Sequence, residues 1–157
     1  MRIHLAFALA LAACTGSGSS TPEETELQAK RTQFTQNMTG SYQFQWRQSC
    51  ECTQEAAAPM LITVENGAII GAIYIETEQQ VPAAIRANLD TIDGVFDRIQ
   101  DAIDDNAHMI HVEYDAELGF PKSVAIDYSE QIADEELSLI ISNVEPLAQT
   151  CGLRPCG

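Results

Sequence analysis

Apolar residues recur along this chain with two spacings, one typical of helices and one typical of strands. A first, thin helical stripe consists of Leu27, Arg31, Phe34 and Met38. The tetrapeptide TPEE at 21–24 precedes it and combines a capping threonine, an early proline and the glutamate of a capping box. Gly40 suits the end of a helix, because glycine accepts the left-handed conformation common there. A helix is therefore predicted between Pro22 and Gly40.

The next stretch, SYQFQWRQ, alternates strictly between aromatic and polar residues. This alternation is typical of a half-buried strand whose aromatic face points into the core. If the strand continues, Cys50 and Cys52 share the parity of Trp46, so both thiols are expected to point towards the core.

The stretch MLITVENGAIIGAIYIE predicts a tight β-hairpin. Asn66-Gly67 lies between two apolar runs and is a dipeptide that type I′ turns prefer. A two-residue turn there sets Val64 opposite Ile69 and Met60 opposite Ile73, and gives the hairpin one wholly apolar face.

A second helix follows a polar connection over residues 77–90, which contains Pro82 and is expected to include one helical turn. The apolar residues after it fall at i, i+3, i+4, i+7 and i+11, the stripe of an amphipathic helix. Asp90 or Thr91 is suited to cap this helix. The stripe consists of Ile92, Val95, Phe96, Ile99 and Ile103.

Three further strands are predicted in the last third of the chain, in HMIHVEY, around SVAIDY and in ELSLIISNV. One face of the first two carries Ile110, Val112, Tyr114, Val124, Ile126 and Tyr128, and the other carries Met109, His111, Glu113 and Asp115. The order helix, three strands, helix, three strands predicts an α+β fold. We expect an antiparallel sheet of about five to six strands with two helices packed on one face.

Charge narrows the classes of function. The chain has 157 residues, a length typical of one domain, with 23 acidic and 8 basic residues and a net charge of −15. Such a field repels phosphate backbones, which argues against nucleic-acid binding. The same charge is consistent with a well-hydrated surface or with a cationic partner.

The N-terminus, MRIHLAFALALAAC, predicts export. Residues 1–13 have the length and apolar character of a signal peptide. Their end at Cys14 resembles the lipobox of bacterial lipoproteins, in which the cysteine thiol forms a thioether to a diacylglycerol and anchors the chain in the membrane. Thr15 follows where an aspartate would resemble an inner-membrane retention signal, so an outer-membrane location is expected in a Gram-negative cell. An ordinary signal peptide that happens to contain a cysteine is the alternative.

Residues 14–22 then form a flexible Gly/Ser tether, and residues 23–157 the single folded domain. Four cysteines remain in this domain: Cys50, Cys52, Cys151 and Cys156. An even number in an exported chain argues for disulfides, and the short spacing would strain a Cys50–Cys52 bridge. Cross-links from this pair to Cys151 and Cys156 are therefore favoured, and each would close a loop of about 100 residues, worth about 4.7 kcal/mol.

Two alternatives for these cysteines stay open. A four-thiolate zinc site is possible in principle, although structural zinc sites usually show CxxC spacing. A redox-active pair is a further and weaker alternative, because CxC is not CxxC and no electropositive neighbours lower a thiol pKa.

The stretch YDAELGFPKSVAIDY carries several carboxylates and is interpreted as a hairpin turn. Asp115 can accept a hydrogen bond from the backbone two residues on, Gly119 permits a positive φ, and Pro121 fixes the exit. Calcium is the alternative, with Asp115, Glu117 and Asp127 as weak candidate ligands. These are too few for an EF-hand, and 134–136, DEE, would contribute only if the fold brought them close.

No catalytic constellation is visible. His108 and His111 fall on opposite faces of a strand, so they cannot share a metal. His111, Glu113 and Asp115 share one face and form a weak zinc candidate. No GxSxG, HExxH or P-loop pattern occurs, and no cofactor is expected.

The succession of an aromatic strand ending in CxC, a VxNG hairpin, TIDGVFDRI, YDAELGFPKSVAIDY and ADEE resembles a bacterial envelope family of unknown function, DUF6174. The resemblance covers about residues 24–147, and the pattern Y-D-x-x-x-G-x-P…I-D-Y is its most specific part. The C-terminal pair Cys151 and Cys156 departs from the core pattern of the family. The resemblance implies a fold and an envelope location, but no activity.

The sequence therefore predicts a non-catalytic, membrane-anchored lipoprotein that binds another envelope component. A calcium- or small-ligand-binding domain using the carboxylates around 113–136 is the second hypothesis. An unrecognised hydrolase, whose site would be assembled by the fold, is the third.

Overall fold

The fold is described from a computed structural model, for residues 20–50, 52–129 and 137–147 and for the backbone of 150–151 and 154–155. The predictions for the signal peptide, Cys14, most of the tether and the acidic residues at 134–136 lie outside these residues.

The chain forms the predicted succession of helix, three strands, helix and three strands, and the helical turn expected within 77–90 is present; a second one-turn helix and a short ladder are added. The helices are α1 Pro22–Asn37, α2 Gln54–Ala57, α3 Ala83–Arg86 and α4 Ile92–Asp104. The strands are β1 Tyr42–Ser49, β2 Met60–Glu65, β3 Ala68–Tyr74, β4 Met109–Tyr114, β5 Pro121–Asp127, β6 Leu137–Pro146, β7 Thr150–Cys151 and β8 Arg154–Pro155.

Six strands form one antiparallel sheet in the order β3-β2-β1-β6-β5-β4. The predicted α+β fold is confirmed. Two three-stranded meanders, β1–β3 and β4–β6, meet at the centre, where β1 pairs with β6. Helices α1 and α4 contact each other, and α4 packs on β4 and β5. The core between helices and sheet includes Leu27, Phe34, Phe44, Trp46, Met60, Ile62, Phe96, Ile99, Ile126, Leu139 and Ile141.

Helix α1 begins where the capping box predicts. The Thr21 hydroxyl accepts a hydrogen bond from the backbone nitrogen of Glu24 (3.2 Å). Leu27, Phe34 and Met38 are buried as predicted. Arg31 belongs to the same stripe, but its guanidinium lies over the Phe96 ring, 5.9 Å from the centroid, and joins α1 to α4.

Helix α4 begins at the predicted cap, since the Thr91 hydroxyl accepts from the backbone nitrogen of Gly94 (3.1 Å). Its stripe is buried from Ile92 to Ile99, as predicted. The hydroxyl of Tyr42 on β1 accepts from the backbone nitrogen of Ile92 (3.3 Å), which fixes the start of the helix on the sheet. Burial raises the pKa of Tyr42 to about 12.

The first hairpin has the predicted turn but a shifted register. Asn66 and Gly67 have φ of 51° and 76°, as a type I′ turn requires, and Val64 lies opposite Ile69. The prediction that Met60 lies opposite Ile73 is wrong, because Met60 pairs with Tyr74. A bulge after Thr63 places one extra residue in β3, and a single extra residue exchanges the two faces of a strand.

The cysteines at the end of β1 depart from the prediction. The strand ends at Ser49, so Cys50 and Cys52 leave its alternation and both are exposed instead of facing the core. The structure joins them to each other, with Cα atoms 5.2 Å apart, within the usual span of a disulfide. This pairing corrects the predicted cross-links to Cys151 and Cys156, whose side chains lie outside the described residues.

A third, smaller correction concerns the end of β5. Val124 and Ile126 are buried opposite Val112 and Ile110, as predicted. Tyr128 does not continue this face: the strand ends at Asp127, and the tyrosine side chain is 37% exposed.

Candidate functional site

The turn between β4 and β5, residues 115–120, has the predicted hydrogen bonds. The Asp115 carboxylate accepts from the backbone nitrogens of Glu117 (3.0 Å) and Leu118 (2.7 Å). The Asp115 backbone nitrogen donates to the Phe120 carbonyl (2.8 Å), and the Gly119 nitrogen donates to the Asp115 carbonyl (3.1 Å). The carboxylate therefore stabilises the turn itself.

Gly119 is required for a local and for a distant reason. Its φ is +85°, in the left-handed region that favours glycine. A Cβ at this position would also lie 2.8 Å from the Lys30 carbonyl oxygen and 2.9 Å from the Gln33 Cβ. The turn thus lies directly against helix α1, so close that no side chain fits.

Helix α1 holds the turn through two amides. Gln33 Nε2 donates to the carbonyls of Ala116 (2.9 Å) and Glu117 (3.0 Å), and Asn37 Nδ2 donates to Glu117 (3.2 Å). The sequence prediction did not identify Gln33 and Asn37. Their spacing of four residues, which places both on one helix face, was the available signal.

Tyr114, the residue before the turn, packs on α4. Its ring stacks on Phe96, with centroids 6.4 Å apart and planes at 12°. Burial, with a smaller effect of the Glu26 carboxylate, raises the pKa of Tyr114 to about 12. Pro121 at the far end of the turn is buried. Tyr114, Asp115, Gly119 and Pro121 thus act together as a docking motif within the fold.

The weak metal candidates are not brought together. Asp127 accepts a hydrogen bond from the Ser129 backbone nitrogen (2.9 Å) in a turn of its own. His111 Nε2 lies 3.9 Å from Glu113 Oε1, and both side chains are well exposed. Within 20–50, 52–129 and 137–147, no three His, Cys, Asp or Glu side chains are placed to hold a metal ion.

A cleft of about 650 Å³ opens beside the Cys50–Cys52 bridge, on the helix side of the sheet. Gln48 of β1 lies in it and donates from Nε2 to the Ala56 carbonyl of α2 (3.2 Å). Arg98 of α4 also lines the cleft and forms an ion pair with Asp90. The sequence alone did not predict this cleft, because its walls come from five separate elements: β1, α2, α3, α4 and β6.

The opposite face of the sheet, which we call the open face, carries the side chains that alternate with the core. It includes Gln43, Gln45, Arg47, Leu61, Thr63, Ile73, Ile75, Met109, His111, Glu113, Ser123, Ala125, Asp127, Ser138, Ile140 and Ser142. Ile140 is 48% exposed and Ile75 39% exposed. With Arg47 and Pro59 they line a shallow cavity of about 240 Å³ at the centre of this face.

Helix α1 is the longest helix in the part of the chain that the structure describes, and none there is long and apolar enough to cross a membrane. Neither a curated protein nor a solved structure matches the chain. A family model, described as a family of unknown function (DUF6174), matches residues 26–146, which include the six-stranded sheet, helix α4, all but the first four residues of α1, and the turn at 115–120. The chain therefore belongs to the DUF6174 family.

Proposed function

We propose that this protein is a non-catalytic bacterial lipoprotein of the cell envelope that binds another envelope protein through its open face. The observation that supports the binding surface is the uneven cover of the sheet. Helices α1 and α4 pack on one side, whereas Ile140 and Ile75 stand exposed on the other. Large apolar side chains grouped on an exposed surface are typical of interaction sites.

The sequence before the domain supports the anchor. Residues 1–13 have signal-peptide character, and Cys14 is placed for lipidation. Acyl chains contribute about 0.8 kcal/mol for each buried methylene, so several chains hold a protein firmly on a membrane. The Gly/Ser tether would then let the domain reach a partner at some distance from the lipid surface.

The charge in the central cavity of the open face suggests the chemistry of the partner. Arg31 and Arg98 are paired with aspartates on the helix side. Arg47 is exposed and forms no ion pair with the described residues. An arginine between Ile140 and Ile75 suits a partner surface that presents a carboxylate among aliphatic side chains.

Crosslinking in the native membrane tests this proposal. A photo-crosslinking residue at position 140 should capture one stoichiometric envelope protein, identified by mass spectrometry. The matched control is position 29, an exposed alanine on helix α1. Equal yields at both positions, or a blank at 140 with the protein abundant and intact, would contradict the proposal.

Charge reversal tests the same surface without a probe. Arg47→Glu should weaken co-purification of the captured partner at least about tenfold, the effect of about 1.4 kcal/mol at a charged contact. Arg86→Glu on helix α3 changes the charge equally and should leave the yield unchanged. Loss of the partner from both variants would point to net charge instead of the open face.

The anchor is tested independently. Cys14→Ser should move the protein from the membrane fraction to the soluble fraction, and the wild-type N-terminal peptide should carry the mass of its acyl chains. A Cys14→Ser protein that stays on the membrane would contradict lipidation at this residue and leave the open-face tests intact.

A further inference from the structure

The Cys50–Cys52 bridge has no part in the proposed binding surface. Both cysteines are exposed, and both line the cleft of about 650 Å³ on the helix side of the sheet. We propose that this bridge is a thiol–disulfide exchange site, which accepts two electrons from a protein dithiol of the envelope.

Because of its position, the bridge contributes little to the stability of the fold. The two cysteines are two positions apart in sequence, so the bridge closes a very small loop. Constraint of the unfolded chain grows with the size of the closed loop, and a bridge this local restricts the chain far less than one between distant strands. Strand β1 is already held on both sides by β2 and β6, so the sheet does not depend on the bridge.

The exposure of Cys50 and Cys52 favours thiol–disulfide exchange. A thiolate must reach a sulfur of the bridge to attack it, and buried structural cysteines are inert for this reason. Cys50 and Cys52 are both exposed at the end of β1, where the chain has left the sheet. Exposed disulfides are the labile and regulatory ones, whereas buried bridges resist reduction.

The neighbouring cleft offers room for the partner. The apolar walls of the cleft come from four parts of the chain, at Ala56, Ile85, Leu89 and Leu137. This is a surface on which the residues flanking a partner cysteine can pack. Arg98 lines the same cleft in an ion pair with Asp90, so its charge is already compensated.

The exchange balances in two steps. One thiolate of the partner attacks a sulfur of the bridge, the Cys50–Cys52 bond breaks, a mixed disulfide forms, and the other cysteine leaves as a thiolate. The second thiolate of the partner then attacks the mixed disulfide, closes the partner's own disulfide and releases the second cysteine. The bridge gains two electrons that the dithiol loses, and the two thiol protons pass from the partner to Cys50 and Cys52.

Equilibration with glutathione tests the bridge in the full chain, held in detergent with its anchor. Mixtures of reduced and oxidised glutathione are quenched and alkylated, and the peptide containing both cysteines is weighed. We expect half-reduction at a concentration of reduced glutathione at least about tenfold lower than a buried structural bridge requires in a reference protein in the same tube. A bridge that resists reduction as the reference does would overturn the proposal.

A trapping experiment tests exchange with protein thiols. In a Cys151→Ser/Cys156→Ser background, Cys50→Ser and Cys52→Ser each leave one thiol that cannot resolve a mixed disulfide. At least one of them should accumulate about tenfold more adduct with a CxxS variant of a thioredoxin, whose single thiol is activated as a mixed disulfide with a small aromatic thiol that leaves, than the matched Cys50→Ser/Cys52→Ser variant. Equal adduct in all three would overturn the proposal. If a variant fails to fold by circular dichroism, the glutathione titration of the wild-type chain decides alone.

Discussion

Two of the hairpin tips of this sheet, between β2 and β3 and between β4 and β5, use glycine in the same backbone conformation but in different surroundings. Gly67 has φ of +76° and Gly119 has φ of +85°. A Cβ on Gly67 would meet no atom within 4 Å, whereas one on Gly119 would meet the Lys30 carbonyl oxygen at 2.8 Å. The first tip is thus free in solvent, and the second is pressed against helix α1.

The two tips show that the conformation of one turn is determined by its own residues, whereas that of the other also depends on tertiary contacts. Asn66-Gly67 forms its turn from the preference of two residues. The turn at 115–120 needs its own hydrogen bonds and also the amides of Gln33 and Asn37 from α1. A cluster of special residues that suggests a ligand site from sequence can therefore be a contact between two parts of the same fold.

The largest predicted effect comes from filling the two tips with the same side chain. Gly119→Val should lower the free energy of unfolding by about 3 kcal/mol or more, because backbone strain and a clash with α1 add. Gly67→Val should cost about 1 to 2 kcal/mol, since only the strain applies. Urea unfolding of both variants measures the difference.

Equal losses at the two glycines would contradict the contrast between the tips. If Gly119→Val fails to fold, Gly119→Ala offers a smaller probe with the same expected order relative to Gly67→Ala. An unchanged stability for either Gly119 variant would refute the tight approach to α1.

The next effect concerns the carboxylate in the docked turn. Asp115→Ala removes the acceptor for two backbone N–H groups and should cost about 2 kcal/mol. Asp115→Asn keeps a side-chain oxygen and should recover most of the loss. Thermal unfolding with and without calcium separates the turn from a metal site, since a loss seen only with calcium present would favour the calcium hypothesis.

A smaller effect tests the helix side of the same contact. Gln33→Ala should cost about 1 kcal/mol, because its amide donates to two carbonyls of the turn. Gln36→Ala is the matched control, an exposed glutamine on the same helix that should be neutral within about 0.5 kcal/mol. Similar losses from both variants would indicate a change in α1 itself and no specific contact.

Alkaline unfolding gives the smallest effect. The pKa of Tyr114 is raised to about 12, so the folded protein keeps the phenol proton between pH 10 and 12 while the unfolded chain loses it. The stabilisation that comes from the protonated Tyr114 phenol is fully present below pH 10 and is lost as the pH rises towards 12. Tyr114→Phe should reduce that loss by about 0.5 kcal/mol, because the phenol is only half-buried and solvent weakens the effect; urea unfolding at pH 9 and pH 11 measures it. An identical pH dependence in both proteins would contradict the shift.

The features that the sequence predicted correctly depend on partners a few residues apart. The Thr21 and Thr91 caps each bond a nitrogen three residues on, and Asp115 bonds its own turn. Such bonds can be predicted from a short stretch of sequence, and so can the apolar stripes of the two long helices. The short helix α2 had a local signal too, because Thr53 caps it in the same way, but the prediction did not include it.

The features that were missed depend on residues distant in sequence or on a single extra residue. The bulge after Thr63 changes the face of every later residue in β3, and no turn signal marks it. Cys50 and Cys52 were assigned by continuing the alternation of β1 past Ser49, where the chain in fact leaves the sheet. The contact of Gln33 with the turn joins residues more than 80 positions apart, which a single sequence does not reveal.

The central pairing of β1 with β6 has a consequence for how the chain acquires its structure. These strands lie about 100 residues apart in the chain, yet each fills the middle of the sheet. During synthesis, strands β1–β3 are complete long before β6 has been made. Until then, the edge of β1 that pairs with β6 has no partner strand. Contacts between distant residues are slow to form and leave intermediates prone to aggregation. Folding of this domain is therefore expected to be a late, post-synthetic event whose rate is set by the arrival of its last long strand.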